Sequence, residues 1–271
     1  MIYSNYHTHT KYSDGSAPPK DYCEQAISLN FKSLGFSDHA PVLFKNSYSL
    51  QLLDLPDYEE EVLLLKKEYE GRLNIYLSLE ADYIPGKTID FSYFRKQVQT
   101  DYLIGGVHLV YNKENDKTWF IDGGLQHIWD EGLKIVFGGD IKKGVRSFYE
   151  QSMEMIETQK PDVVAHLDKI KMHNKGRFFQ TNDKWYLDLV EATLKMIQKN
   201  QQILEINSRG IYKGRFDDLF PSINIACMAQ KMGIPLLLSS DAHLPEELNG
   251  AFESSIIKLK EGGIKSLVEF N

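Results

Sequence analysis

The sequence predicts an α/β fold built on a parallel sheet, which is either doubly wound or closed into a barrel. Short apolar runs rich in β-forming residues alternate with longer stretches of helical spacing, and this alternation is typical of parallel sheets. There are seven such runs, one fewer than an eight-stranded barrel has. They are IYSNYH, SLGFSDH, NIYLSLE, DYLIGGVH, DVVAHLD, QILEIN and PLLLSSDAH.

Four stretches between these runs have the spacing of amphipathic helices. They are PPKDYCEQAISLN, PDYEEEVLLLKKEYEG, DKWYLDLVEATLKMIQKN and LFPSINIACMAQKMG. Pro18 and Pro19 suit a first helical turn. Gly71 and Gly233 follow helical stretches directly, where a left-handed cap is common. Residues 112–144 are the least regular part of the chain, and we interpret them as an insertion with a loop and a short helix.

The length and composition are those of one globular enzyme domain covering residues 1–271. The chain has 42% hydrophobic and 25% charged residues, enough to bury a full core without disulfides. Its two cysteines, Cys23 and Cys227, lie far apart and form no CxxC pair, so we expect reduced thiols. No signal peptide and no apolar stretch of membrane-spanning length is visible, which predicts a cytoplasmic protein without a membrane partner.

The charge disfavours a nucleic-acid partner. The formal net charge is −7, and no run rich in lysine or arginine stands out. An acidic total does not exclude a local pocket for a small phosphate ester. The sequence does not indicate an oligomeric state.

Histidine, aspartate and glutamate recur where the predicted strands end. In parallel α/β folds the carboxyl ends of the strands share one edge, and ligands bind there. Six of the seven runs place such residues at that edge. They are His7 and His9, Asp38 and His39, Glu80, His108, His166 and Asp168, and Asp241 and His243.

The spacing of two pairs indicates metal binding. Side chains alternate along a strand, so His7 and His9 point the same way, and Asp241 and His243 repeat the spacing. Imidazole and carboxylate together suit zinc, manganese or iron. Leaving Asp38 and Asp168 aside and adding Asp14 in SDGS gives nine candidate ligands. This number suggests two or three ions, with Glu80 as the bridge between them. The nine are His7, His9, Asp14, His39, Glu80, His108, His166, Asp241 and His243.

Several of these polar residues also have plainer interpretations. Asp14 precedes a glycine and could merely cap a turn. Asp38 could orient a neighbouring histidine rather than bind metal, and Asp168 is equally ambiguous. His127 and His173 lie outside the pattern, so we interpret them as ordinary hydrogen-bonding residues.

Six motifs in order resemble the polymerase-and-histidinol-phosphatase (PHP) superfamily, and more narrowly its histidinol-phosphatase branch. They are HTHTKYSDG, GFSDHAP, LEADY, GGVHLV, VAHLD and SSDAH, between Asn5 and about Ala251. The resemblance implies a distorted (β/α)7 barrel with a trinuclear metal centre. Some family members have histidine at the position of Asp14, one of the residues that the resemblance assigns to the third ion, so the occupancy of that ion depends on this position. The resemblance implies that the first ion is held by His7, His9, Glu80 and Asp241, the second by Glu80, His108 and His166, and the third by Asp14, His39 and His243.

The resemblance also implies an activity, the hydrolysis of L-histidinol phosphate to L-histidinol and phosphate in histidine biosynthesis. Metal-activated hydroxide would attack phosphorus. Arg177 and Arg209 follow the fifth and sixth runs and are candidates to bind the phosphate, with Arg215 a weaker one. Each could instead be a surface arginine. Asp241 and His243 are candidates for protonating the leaving alkoxide.

Two other functions are compatible with the same motifs. A PHP phosphoesterase could act on nucleotides, oligonucleotides or phosphotyrosine, although the acidic charge disfavours long nucleic acids. A non-catalytic metal-binding module is a third possibility. The filled ligand positions argue against it, because a degenerate module would be expected to lose ligands.

Overall fold

The computed structural model describes residues 4–270, in which parallel strands alternate with helices. Ile2 and Tyr3, which begin the first predicted strand, lie outside the described residues. The strands are β1 Ser4–Asn5, β2 Ser33–Phe36, β3 Asn74–Leu77, β4 Glu80–Asp82, β5 Ile104–Gly106, β6 Leu109–Asn112, β7 Lys117–Phe120, β8 Val163–Val164, β9 Ile203–Asn207 and β10 Leu236–Ser239. Each of the seven predicted runs contains at least one strand of a parallel sheet, which confirms the α/β class.

The parallel strands form two sheets. The first has the order β1-β2-β3 and the second the order β10-β9-β8-β5-β4. Two isolated parallel bridges join the sheets. One pairs Thr8 with Ala242, which follow β1 and β10, and the other pairs His39, which follows β2, with Glu80, the first residue of β4. Within residues 4–270 the regular ladders therefore leave two sheets rather than one closed barrel.

The third predicted run divides between the two sheets. Its first four residues form β3, which pairs with β2 in the register Ser33 to Asn74, and its last residue, Glu80, begins β4, which pairs with β5 in the register Glu80 to Ile104. The chain passes from one sheet to the other at Ser78 and Leu79. This break leaves Glu80 at the junction of the two sheets.

Nine helices are found between residues 4 and 270. They are α1 Pro19–Ser28, α2 Leu55–Glu68, α3 Phe91–Gln97, α4 Gln126–Phe137, α5 Ile141–Thr158, α6 Lys184–Lys199, α7 Arg209–Tyr212, α8 Ile223–Lys231 and α9 Phe252–Glu261. The four predicted helices are confirmed as α1, α2, α6 and α8. Pro19 is the first residue of α1. Gly71 (φ 77°) and Gly233 (φ 75°) adopt the left-handed conformation that suits glycine after a helix.

Residues 112–144 have more regular structure than the sequence indicates. Strands β6 and β7 form an antiparallel hairpin outside the two sheets, and α4 covers it. The side chain of Trp119 on β7 is fully buried against Trp129 and Phe137 of α4, and its Nε1–H donates to the Trp129 carbonyl at 2.8 Å. The hairpin is therefore stabilised by packing on its own helix.

Residues 268–270 pack against the sheets near the amino end of β10. Phe270 packs against Tyr6 and Tyr102, with ring centroids 4.7 and 4.6 Å away. The Val268 N–H donates to the Leu236 carbonyl at the start of β10. Both cysteines are free. Within residues 4–270, every helix is too short or too polar to cross a lipid bilayer.

We expect Trp119→Ala to lower the free energy of unfolding by about 3–5 kcal/mol, because it leaves a cavity between the hairpin and α4. Phe120→Ala, on the same strand, is the control. Its ring is 40% exposed, so its effect should stay within about 0.5 kcal/mol. Chemical denaturation of both variants measures the difference. Equal losses would contradict the packing described for the hairpin.

Candidate metal centre

Glu80 is the first residue of β4 and lies at the centre of a cluster of imidazoles. Its side chain is 2% exposed, and both of its oxygens face histidine nitrogens. The five nearest are His39 Nδ1 (3.0 Å), His7 Nε2 (3.3 Å) and His9 Nε2 (3.6 Å) around Oε2, with His166 Nε2 (3.0 Å) and His108 Nε2 (3.5 Å) around Oε1. One carboxylate thus contacts histidines from both sheets.

The ligand atoms around Glu80 gather into groups of metal-binding size, with the atoms of each group within 4.8 Å of one another. The groups are His7, His9 and Asp241; Glu80, His108 and His166; His9, Asp14, His39 and His243; and His39, Asp82 and His108. All nine residues singled out in the sequence fall within these groups. In the fourth group, Asp82 Oδ1 is hydrogen-bonded to His108 Nδ1 at 2.6 Å.

Backbone pairing between the sheets brings the pair His7 and His9 close to the pair Asp241 and His243. The His9 N–H donates to the Ala242 carbonyl at 2.8 Å, and the Ala242 N–H donates to the His7 carbonyl at 3.1 Å. This pairing sets His9 Nε2 3.4 Å from Asp241 Oδ1. On the other side, His243 Nε2 lies 3.1 Å from Asp14 Oδ1.

Two ligand residues have unusual backbone conformations. His166, after β8, has φ 25°, and Asp241, after β10, has φ 54°. Non-glycine residues seldom adopt positive φ, and such strain concentrates at functional sites. Gly106 of β5 also belongs to the site, because a Cβ there would lie 3.1 Å from His166 and 3.3 Å from His108. Glycine leaves that space to the imidazoles.

Several ligand nitrogens are buried without hydrogen-bond partners among the described residues. They are His7 Nε2, both ring nitrogens of His9, and His39 Nδ1. A buried polar atom without a partner is costly and calls for an explanation. Lone pairs that face carboxylate oxygens across 3.0 to 3.6 Å are what a bound cation would satisfy, so these residues fit a metal site.

Two of the histidines are held from behind by buried carboxylates. His7 Nδ1 lies 2.5 Å from Glu205 Oε1, and His108 Nδ1 lies 2.6 Å from Asp82 Oδ1. A carboxylate at Nδ1 fixes the proton there and leaves Nε2 as the acceptor, the arrangement typical of metal-binding histidines. Glu205 also accepts a hydrogen bond from the backbone N–H of His166 at 2.9 Å. It therefore positions two ligands at once.

The protonation states suit cation binding. Burial lowers the pKa of His9 well below its usual value, and His243 and His39 lower it further. Burial also lowers the pKa of His166. Burial alone would raise the pKa of Glu80, but the surrounding histidines hold it well below the usual range. At neutral pH these residues therefore offer neutral imidazoles and an anionic carboxylate.

The histidines with carboxylates behind them behave differently. Burial would lower the pKa of His108, but Asp82 and Glu80 outweigh it and raise that pKa to about 9. Burial would also lower the pKa of His7, but Glu205, Glu80 and Asp241 outweigh burial and raise that pKa well above its usual value. The carboxylates around His7 and His108 therefore favour the protonated form of these two imidazoles.

A cavity of about 220 Å³ opens beside the cluster. Its lining includes three cationic side chains, Lys169, Arg209 and Arg215. Lys169 Nζ lies 3.8 Å from Asp241 Oδ2, and Arg209 Nη1 lies 3.4 Å from Asp241 Oδ1. Metal-binding groups and cations thus face the same small space, which suits an anionic ligand.

The structure locates the two predicted phosphate-binding arginines differently. Arg209 lines the cavity. Arg177 is outside the cavity lining, because its guanidinium pairs with both oxygens of Asp130 at 2.7 and 2.9 Å and packs on Trp129 and Phe178. Arg215, the weaker candidate, does line the cavity.

The ambiguous residues have other roles. Asp38 accepts hydrogen bonds from Thr10 and Ser13, so it shapes the loop before Asp14 rather than orienting a histidine. Asp168 pairs with Lys171 at 2.6 Å, outside the ligand groups. His127 is exposed, and the His173 ring contacts the Gly123 carbonyl.

Sequence reasoning did not single out Glu205, Asp82, Lys169 and Asp122. Glu205 is the only acidic residue in the apolar run QILEIN, and Asp82 repeats the i, i+2 spacing after Glu80. Both signals were available. Lys169 and Asp122 carry no comparable signal, since their positions depend on how the loops fold over the edge of the sheets.

Comparison with known proteins agrees with this arrangement. The family model of the PHP domain matches residues 5–209, more than half of the chain. A histidinol-phosphatase of Bacillus subtilis is 26% identical over 262 residues, covering 92% of this chain and 96% of that protein.

Two solved structures have the same fold. One is a protein of Listeria monocytogenes provisionally described as a histidinol phosphatase, with a TM-score of 0.79 and 21% identity over 93% of this chain and 99% of that chain. The other is a histidinol phosphate phosphatase of Lactococcus lactis in complex with zinc, L-histidinol and phosphate. It has a TM-score of 0.68 and 19% identity, and the match covers 98% of this chain and 96% of that chain. The motifs, the ligand groups and the family match lead to one conclusion: the chain belongs to the PHP family.

Proposed function

We propose that this protein is a metal-dependent phosphatase that hydrolyses L-histidinol phosphate to L-histidinol and phosphate. The observation that carries the proposal is the cluster formed by Glu80 and the eight other candidate ligand residues, open to a cavity lined by Lys169, Arg209 and Arg215. The relatives described as histidinol phosphatases match almost the whole chain, which supports the same substrate.

We also propose the finer points that accompany this function. The two sheets and their bridges at Thr8 and His39 would together act as a distorted (β/α)7 barrel, within a single domain of residues 1–271. Residues 112–144 would be an insertion in that domain. A cytoplasmic location stays a prediction from the sequence.

Three divalent ions would be held by the ligands assigned from the family resemblance. The first would take His7, His9, Glu80 and Asp241, the second Glu80, His108 and His166, and the third Asp14, His39 and His243. When bound, such ions acidify a water molecule and neutralise phosphoryl oxygens. Zinc, manganese and iron all accept this set of imidazoles and carboxylates.

The chain's own residues would bind and orient the phosphate ester. Arg209 and Lys169 flank Asp241, so their charges would stabilise phosphoryl oxygens beside the ligand groups. Arg215 would add a third cation. Arg177 forms an ion pair with Asp130 and is therefore not assigned to phosphate binding.

We assign Asp241 and His243 as the catalytic pair. Burial would raise the pKa of Asp241, but Arg209 and His7 hold it well below its usual range, so Asp241 is an ionised carboxylate at neutral pH. His243 Nδ1 faces Arg209 Nη1, and its Nε2 faces Asp14. Its position at the cavity wall suits proton transfer to the leaving alkoxide.

The size of the cavity bears on two of the alternative substrates. A volume of about 220 Å³ favours a small ester over an oligonucleotide or a phosphotyrosine protein. Phosphate release from L-histidinol phosphate, a nucleoside monophosphate and a phosphotyrosine peptide should be compared on manganese- and zinc-loaded protein. A preference for either alternative substrate would overturn the assignment.

His9→Ala should lower kcat by roughly a thousandfold or more, because several kcal/mol of charge stabilisation depend on the ligand groups. The ring nitrogens of His9 make no hydrogen bond to the described residues, so the fold should persist. Exposed His127→Ala is the matched control. Steady-state assays, metal analysis and thermal melts decide the matter, and full activity of His9→Ala would count against the metal centre.

Glu205→Gln should weaken metal binding by about 10- to 100-fold, since the carboxylate that orients His7 and contacts the His166 N–H is lost. Activity measured against manganese concentration should shift to higher concentrations, with kcat partly recovered at saturation. Exposed Glu70→Gln is the control. An unshifted manganese dependence would contradict the role given to Glu205.

A further inference from the structure

The segment after β7 reaches the cavity but contributes nothing to the metal groups. Phe120, Asp122, Gly123 and Gly124 all line the cavity. The Ile121 N–H donates to the His108 carbonyl at 3.0 Å, so this segment is fixed directly beside a ligand histidine. We call residues 120–124 the hairpin exit.

Asp122 is the one carboxylate in the cavity lining that belongs to none of the ligand groups. Its Oδ2 accepts a hydrogen bond from Lys169 at 2.8 Å, and the same oxygen lies 3.8 Å from His108 Nε2. Its Oδ1 is buried without a hydrogen-bond partner among residues 4–270. An ionised carboxylate can accept about four hydrogen bonds, so Asp122 has unused acceptor capacity at the cavity wall.

The remaining hairpin-exit residues offer an apolar surface. The Phe120 ring is 40% exposed although it is aromatic. Gly123 packs against that ring, since a Cβ at this position would lie 3.2 Å from Phe120 Cε1. The carboxylate and the aromatic ring thus line the same cavity as Lys169, Arg209 and Arg215.

We propose that the hairpin exit binds the leaving group of the substrate, with the Asp122 carboxylate accepting the substrate's ammonium and Phe120 contacting its imidazole. This inference rests on the proposed function. In L-histidinol phosphate the ammonium lies on the carbon next to the one that bears the ester oxygen. An ester held at the ligand groups therefore brings its ammonium close to a carboxylate that neighbours His108.

The contacts of Asp122 also explain why it would act on the ammonium and not on the phosphate. A carboxylate repels phosphoryl oxygens, while Lys169, its partner, attracts them. In this pair the Lys169 ammonium also faces Asp241, and the Asp122 carboxylate belongs to the hairpin exit. A phosphate ester carrying a vicinal ammonium matches both charges, whereas an ester without it leaves Asp122 unmatched.

Three small esters separate these contacts on the metal-loaded enzyme. L-histidinol phosphate carries both ammonium and imidazole, 3-(imidazol-4-yl)propyl phosphate lacks the ammonium, and 2-aminoethyl phosphate lacks the imidazole. Asp122→Asn should lower the kcat/KM preference for L-histidinol phosphate over the imidazolylpropyl ester by about 10- to 100-fold, mainly through KM. Phe120→Ala should lower its preference over the aminoethyl ester by about 3- to 10-fold.

Matched variants and metal analysis make each outcome decisive. Asp116→Asn changes an exposed aspartate on the same hairpin and should leave every preference unchanged. Lys169→Met should reduce turnover of all three esters alike. If Asp122→Asn reduces all three alike, loses metal, or changes no preference, the inference is overturned. A wild-type enzyme that prefers a nucleotide or a phosphotyrosine peptide would instead overturn the proposed function.

Discussion

Burying a carboxylate beneath five imidazoles is costly unless opposite charge compensates it. Glu80 is in that position at the junction of the two sheets, and several of the nitrogens around it lack hydrogen-bond partners among the described residues. Protons on His7 and His108 can compensate part of the charge, and divalent cations can compensate all of it. The strand ends, the positive φ of His166 and Asp241, and the glycine at 106 all serve to bring these groups together.

The parts of this arrangement that were predicted from sequence are local. Alternation along a strand fixes the common direction of His7 and His9, and the shared edge of parallel strands brings separate runs together. Glu205 stands out as the acidic residue of QILEIN, but its role depends on contacts with His7 and with the backbone of His166, which lie on other segments of the chain. Arg177 and Arg215 both follow strands, yet only Arg215 lines the cavity, because the intervening loop turns Arg177 toward Asp130.

The hairpin was missed for a different reason. Residues 112–116 are polar and carry no strand signal, and the seven residues of the next stretch, TWFIDGG, mix aromatic and turn-forming residues. The hairpin depends on tertiary packing, in which Trp119 fills the space under α4. Sequence propensity does not contain such an interaction, since its partners lie outside the local window.

The fold separates the chemistry of the phosphate from recognition of the leaving group. The candidate ligands for cations lie on or just after strands of the two parallel sheets, and backbone bridges between the sheets constrain their positions. The hairpin exit follows the separate antiparallel hairpin, and its Asp122 lies near the candidate ligand His108 and pairs with Lys169. A substitution at Phe120 can therefore alter which alcohol leaves without touching the cations beside Asp241, whereas a substitution at Asp122 also removes the partner of Lys169.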